Sequence, residues 1–340
     1  MIAFVFPGGA SLGAVQVGML KALQEAGVRP NFCVGSSVGA LNAAWVAADP
    51  TRAVADLEEI WLGIRRADVF PVSPMQVGLA VLGRRQYLVP SEGLRQLVSR
   101  ALPLRRLDAG GVPLAVVTTD VNTGQPVVHT SGAAIPALMA SCAIPGIFPP
   151  VKIGGRYLMD GAISDNAAID VAVRAGADRV YVLPSGYACA LERPPATALG
   201  MTLHALSFVV HQRLIADVGH FAHRVDLRVA PPLCPLAVSP ADFRHTPELI
   251  ARAYQQTCAW LRSGGRSRGA EHLGFHGAHL ARPFPLPVVA QPQPSVARMR
   301  VQRALWHASV ETIWAIGRAA NRARSKSATR THRSHTRSMD

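Results

Sequence analysis

The stretch Gly35-Ser36-Ser37-Val38-Gly39 places a glycine two positions to either side of a serine. A nucleophilic serine on a sharp strand-to-helix turn needs that spacing, because side chains at the flanking positions would collide in the strained turn. Only the frame centred on Ser37 supplies both glycines, Gly35 and Gly39; centred on Ser36, the same positions are valines. Such a turn exposes the Ser37 hydroxyl at a helix N-terminus. There the amide of Val38 and the helix dipole stabilise charge developing on an attacked carbonyl oxygen. Taken alone, a five-residue pattern of this kind is as often a plain small-residue turn as an active site.

A nucleophilic serine needs a base, and histidine is the usual choice. The chain has 12 histidines. His204, His211, His220 and His223 fall on one expected helix, His129 at a strand end, and half of all the histidines in the C-terminal tail. None has site-like surroundings. A carboxylate is the other option. In "YLMDGAISDNAA", Asp160 closes a strand immediately before Gly161, the position where open α/β sheets assemble their sites. A free aspartate, with a pKa of about 3.9, is a poor base; partial burial raises it and eases proton transfer. Asp165 and Asp120 are rivals, and a turn-capping role is the plainer alternative for Asp160. The third element is "PGGASLGA": Gly8, Gly9 and Gly13 follow a strand and precede a helix, so the loop amides can converge on an anion or oxyanion. A dinucleotide loop would require an acidic residue near the end of the next strand, and Asn31-Phe32-Cys33-Val34-Gly35 has none.

The elements that position these residues follow from the same stretches. "IAFVF" (2–6) is a β-rich apolar run, and "AVQVGMLKALQEAG" (14–27) reads as a helix closed by Gly27. "NFCVG" (31–35) is a second strand, and "VGALNAAWVAA" (38–48) a small-residue helix. Strand, glycine loop, helix, strand, sharp turn, helix implies a parallel sheet covered by helices. Strands are also expected at 113–121, 124–130, 178–185 and 225–232, with a hairpin at 151–162 around Gly154-Gly155. Helices are expected at 133–146, 167–176, 196–224 and 247–264.

Together the three stretches resemble the patatin-like phospholipase family: the glycine-rich loop, the GxSxG turn shortly after it, and the DGA motif following "AIPGIFPPV". Order, spacing and flanks all match, and the similarity runs from residue 2 to about residue 263. The resemblance implies a three-layer α/β/α sandwich with a central, mostly parallel sheet, and a Ser–Asp dyad that hydrolyses acyl esters of lipids. Ser37 then corresponds to the nucleophile and Asp160 to the base. The amides of Gly8, Gly9, Ala10, Ser11, Gly13 and Val38 correspond to the oxyanion hole. No metal or organic cofactor is implied. Two departures stand out: Ala10 replaces the loop's third glycine, and Leu12 replaces an arginine. Alanine supplies an amide but tolerates positive φ poorly. An acyltransferase using the same dyad, or a non-catalytic lipid-binding protein of the same fold, would carry the same residues.

Charge divides the chain. The net charge is +14, and residues 264–340 carry 13 Arg or Lys against 3 Asp or Glu. Residues 1–263 form the expected catalytic domain, 264–295 a Gly/Pro/His/Arg-rich linker, and 296–340 a basic tail. Within the tail, 296–323 has a helical pattern in which Trp306 and Trp314 alternate with arginines, suiting an anionic membrane surface. The tail carries no regular base-reading motif, so specific nucleic-acid binding is not expected. The apolar stretch 70–89, with Arg84 and Arg85, is a second candidate for an interfacial patch. The first 20 residues lack a basic n-region and are broken by Pro7, Gly8 and Gly9, unlike a signal peptide. No segment resembles a spanning helix. The five cysteines lack CxxC spacing and lie mostly in apolar contexts, the pattern of buried free thiols in a reducing compartment. The expected setting is the cytoplasm, with peripheral attachment to the inner face of the membrane.

Overall fold

The computed structural model describes residues 1–71, 75, 78, 79, 82, 84–266 and 273. Among the described residues the eight strands are β1 (Ile2–Phe6), β2 (Phe32–Ser36), β3 (Leu114–Asp120), β4 (Pro126–His129), β5 (Val151–Ile153), β6 (Arg156–Asp160), β7 (Arg179–Val182) and β8 (Asp226–Val229). They form one sheet in the order β5-β6-β3-β2-β1-β7-β8, with β4 also on β3. The central neighbours β3-β2-β1-β7-β8 run parallel, while β4, β5 and β6 are antiparallel additions at one end. The mostly parallel three-layer sandwich is thus the observed architecture.

Strands buried on both faces explain the continuous apolar runs read in the sequence. Alternation sends Phe4, Phe6, Cys33, Leu114 and Val116 into one core. Ala3, Val5, Val34, Ala115 and Val117 enter the other. The first core is covered mainly by α1 (Ala14–Glu25), α2 (Val38–Ala48), α3 (Ala53–Gly63), the short α4 (Arg66–Val69), α5 (Glu92–Ala101) and α6 (Ala134–Ser141). The second lies under α7 (Ile169–Arg174) and part of α8 (Ala198–Phe221), whose N-terminal cap is the Thr197 hydroxyl accepting from the Gly200 amide at 3.0 Å. The last helix among the described residues, α9 (Thr246–Arg262), lies against α1.

One feature of the sheet positions the site. Thr118 and Thr119 pair with β4 as well as with β6, and Val116 and Val117 pair with β4 as well as with β2. A strand has two edges, so β2 and β6 share the edge opposite β4. They meet end to end: Ser36, the last residue of β2, lies opposite Val117, and Asp160, the last residue of β6, lies opposite Thr118. Ser37 leaves the sheet where Asp160 arrives.

Of the stretch 70–89, Phe70 is buried while Met75 and Leu82 are exposed. Residues 72–74, 76, 77, 80, 81 and 83 lie outside the described residues, as do 267–272, 274–295 and the whole expected tail at 296–340. Leu273 is buried in the second core, and its carbonyl lies 2.6 Å from His211 Nε2. Packing therefore continues past Gly264. No helix among the described residues is long and apolar enough to cross a membrane.

The α1–α9 contact depends on Gly18, where an added Cβ would come within 2.2 Å of the Ile250 carbonyl oxygen and 2.8 Å of the Tyr254 nitrogen. In an ordinary helix interior, Gly→Ala stabilises by about 1 kcal/mol. Here backbone stands in the way, and overpacking outweighs the gain, so Gly18→Ala lowers stability by about 2 kcal/mol. Urea denaturation checks this; a more stable variant would refute the close approach.

Candidate active site

Ser37 stands at φ 56°, ψ −133°, between β2 and α2. The sequence explains how the backbone reaches that conformation. A Cβ on Gly35 would come within 2.6 Å of the Gly39 carbonyl, and one on Gly39 within 2.0 Å of the Phe6 carbonyl oxygen. The turn is therefore pressed between its own helix and β1 with no room for side chains at either position. Its amide donates to Ser141 Oγ at 2.8 Å, and that hydroxyl donates to the Val117 carbonyl at 2.6 Å. Ser141 thus connects the elbow to β3. Its only sequence signal is a hydroxyl at the end of an apolar helix.

The Ser37 hydroxyl donates to Asp160 Oδ2 at 2.6 Å. The other carboxylate oxygen, Oδ1, accepts from the Ala162 amide at 2.9 Å. The Asp160 main chain is tied at both ends, its amide to the Ala143 carbonyl at 3.0 Å and its carbonyl to the Thr119 hydroxyl at 2.8 Å. Gly161 must lack a side chain, since a Cβ would sit 2.1 Å from the Val117 carbonyl oxygen. Burial raises the Asp160 pKa to about 7, against the opposing pull of the Ser37 and Ala162 hydrogen bonds. Beside it, burial and the Asp160 charge push the Cys142 thiol well up, leaving it protonated and a poor competitor as nucleophile.

The rivals serve other ends. Asp120 Oδ1 accepts from the amides of Asn122 and Thr123 at 2.9 and 3.1 Å, which lowers its pKa. Asp165 accepts from the Ala168 amide at 2.8 Å ahead of α7, and burial followed by Asp170 raises it to about 7. Among the described residues no histidine bonds Ser37 or Asp160; His129 lies on β4, against Thr118.

The glycine loop narrows the expected set of donors. Gly8 donates to Asn166 Oδ1 at 2.8 Å, and Ser11 to the Pro240 carbonyl at 3.0 Å, so neither amide is open to an oxyanion. Gly13 contributes through packing: a Cβ there would meet Val38 Cγ2 at 2.7 Å. The amides of Gly9, Ala10 and Val38 have no acceptor among the described residues. Ala10 takes the substituted position at φ 51°, the left-handed conformation in which alanine is strained. Behind the loop, Gln16 Nε2 donates to the Pro7 and Leu183 carbonyls at 2.7 and 3.0 Å. Asn42 Nδ2 donates to Gln16 Oε1 and the Gly13 carbonyl, and Trp61 Nε1 donates to Asn42 Oδ1. This buried network was not read from the sequence. Its signal is an amide, Gln16 or Asn42, set among apolar residues on each of two helices.

Two cavities meet at Ser37. The larger, about 660 Å³ with its mouth, is walled by Leu57, Trp61, Phe70, Phe148 and Phe243, with Ala10 and Val38 at the serine. The smaller, about 430 Å³, lies on the Asp160 side, against Ile163, Leu203, Leu206 and Val210, and also reaches Gly9 and Ala10.

A profile of the patatin-like phospholipase family matches residues 4–173, half of the chain, from β1 through the Asp160 turn into α7. The chain belongs to the patatin-like phospholipase family. It is 28% identical over 187 residues to patatin-like phospholipase domain-containing protein 7 of Rattus norvegicus, a match covering 54% of this chain and 14% of the rat protein. It is 25% identical over 185 residues to lysophospholipase nte1 of Aspergillus terreus, covering 54% of this chain and 12% of the fungal protein. The chain thus spans only a small part of the length of these relatives. Among solved structures, VipD of Legionella pneumophila aligns over 77% of this chain and 66% of its own, at 17% identity and a TM-score of 0.38.

Burial of Asp160 has a consequence for stability. The group titrates at about 7 when folded and at about 3.9 when unfolded. Between those values the native state holds a proton that the unfolded state has released, so stability falls as pH rises through this window. Above it, the ionised group disfavours folding by something on the order of 4 kcal/mol. Asp160→Asn keeps the Ala162 bond through its oxygen and reverses the other, its amide nitrogen donating to Ser37 Oγ, without the charge. The variant should melt above the parent at pH 8, with the gap closing towards pH 4; equal melting temperatures at both would show an unperturbed carboxylate.

Proposed function

We propose that the chain is a lipid acyl hydrolase, with Ser37 as nucleophile and Asp160 as base. The observation that carries this is the 2.6 Å hydrogen bond from the Ser37 hydroxyl to a buried carboxylate, at the junction of two apolar cavities. Family membership supports the reading. The proposed catalytic domain is the expected span 1–263 together with Leu273, which packs in its second core.

The Asp160 carboxylate takes the Ser37 proton as Oγ attacks the ester carbonyl. The free amides of Gly9, Ala10 and Val38 hold the resulting oxyanion. Collapse of the tetrahedral species expels the alcohol, which takes the proton from Asp160 and leaves an acyl-serine. Water then gives a proton to Asp160 and attacks the acyl carbonyl. The fatty acid departs, and the proton returns to Ser37. The proton's route assigns the cavities. Asp160 must reach the leaving oxygen, so the alcohol portion lies on the Asp160 side, in the smaller cavity. The acyl chain then takes the larger, aromatic-walled one. No observation favours acyl transfer to a second alcohol over transfer to water, so hydrolysis is the reading adopted.

Ser37→Ala and Asp160→Asn should each lower kcat/KM for a short-chain p-nitrophenyl ester by about 10³-fold or more. A fluorophosphonate probe should label the parent at Ser37; an unlabelled parent, or full activity in either variant, overturns the dyad. Because only ionised Asp160 accepts the proton, kcat/KM should rise with pH to a plateau, with an apparent pKa near 7. An acid limb near pH 4 would exclude a desolvated aspartate as the base.

A further inference from the structure

Two cysteines that are 45 residues apart in sequence come together between the segments that contact the loop holding the free amides. Cys189 Sγ and Cys234 Sγ are 3.9 Å apart, in van der Waals contact. The expectation of buried, separate thiols holds for Cys33 and Cys142 but not for this pair: Cys189 is half-buried and Cys234 exposed. Their backbones are already joined. The Ala190 amide donates to the Leu236 carbonyl at 3.0 Å, and the Leu236 amide points to Cys189 Sγ at 3.4 Å.

The segments they join are the connections that follow β7 and β8, and both grip the glycine loop. In the first, Ser185 blocks any side chain at Gly9, where a Cβ would lie 2.3 Å from Ser185 Cβ. In the second, the Ser239 carbonyl accepts from the Ser11 hydroxyl and the Pro240 carbonyl from the Ser11 amide. Phe243, three residues on, lies 6.4 Å from the Trp61 ring in the wall of the larger cavity.

We propose that Cys189 and Cys234 are a dithiol site that peroxide oxidises to an intrachain disulfide, fastening together the two segments that clamp residues 8–11. Burial and Cys189 raise the Cys234 pKa, so the exposed Cys234 attacks a peroxide oxygen through its minor thiolate fraction and becomes a sulfenic acid, releasing one water after protonation. Cys189 then displaces the sulfenic oxygen as a second water and forms the S–S bond. Two thiols and one hydrogen peroxide give one disulfide and two waters. Closing the contact to a bond of about 2.05 Å needs side-chain rotation while the backbones stay paired. Cys33 and Cys142 do not compete at this site, since both are buried.

The test is independent of the acyl chemistry. The reduced full-length chain is treated with equimolar hydrogen peroxide, alkylated and digested with trypsin without reduction. Peptides 180–213 and 229–244 should appear joined and two hydrogens lighter than their sum, since Arg193 precedes a proline and is not cleaved. Cys258 should remain alkylated. Oxidation should raise the melting temperature by roughly 5 °C, as expected for closing a loop of this length. Cys189→Ser and Cys234→Ser should each abolish both the joined peptide and the gain in melting temperature. Separately alkylated or over-oxidised Cys189 and Cys234 would overturn the proposal, as would crosslinking to Cys258 in their place.

Discussion

A serine at φ 56° and ψ −133° occupies backbone space that residues with side chains seldom visit, at a cost of about 1–3 kcal/mol. The surrounding structure leaves it no alternative. Gly35 and Gly39 allow β2, α2 and β1 to close on the turn until carbonyls and α-carbons nearly touch. Ser141 then satisfies the Ser37 amide, which the strained turn directs away from both strand and helix. The same crowding recurs at Gly161, pressed against the Val117 carbonyl. Both halves of the site are therefore braced against β3, and the Ser37–Asp160 distance is inherited from the sheet rather than from flexible loops.

Three aspartates near this end of the sheet show how environment separates roles that composition leaves equal. Asp120 faces turn amides, which favour its ionised form. Asp165 is buried near other carboxylates and accepts from the Ala168 amide in the turn before a helix. Asp160 is also buried, but with one oxygen held by an amide and the other towards a hydroxyl. Burial lifts an ordinary acid into the neutral range, and its ionisation there costs stability.

Much of this was legible because its causes are local. The GxSxG and DGA patterns follow from steric contacts at the turns themselves, and the strand–helix order from apolar runs and glycine caps. What escaped the sequence depends on distant chain. The hairpin at 151–162 was recognisable, but nothing within it indicates that β6 abuts β2 on one edge of β3. The loop amides looked equivalent until Asn166 and Pro240, far along the chain, engaged two of them. Gln16 and Asn42 are unremarkable singly and become a network only when α1 meets α2. Cys189 and Cys234 share no motif; parallel strands bring them together.

Ala10 joins these levels. Its methyl group sits where a glycine would relax, and the left-handed conformation disfavours it by about 1 kcal/mol. A loop with that penalty would tend to relax towards ordinary φ and turn its amide away from the serine. Here it is clamped on both sides. Asn166 holds Gly8 ahead of it, Pro240 holds Ser11 behind it, and Ser185 excludes any shift of Gly9 towards it. The contacts that engage the amides of Gly8 and Ser11 thereby hold those of Gly9 and Ala10 in position. Alanine at residue 10 holds its left-handed conformation because its neighbours supply the restraint.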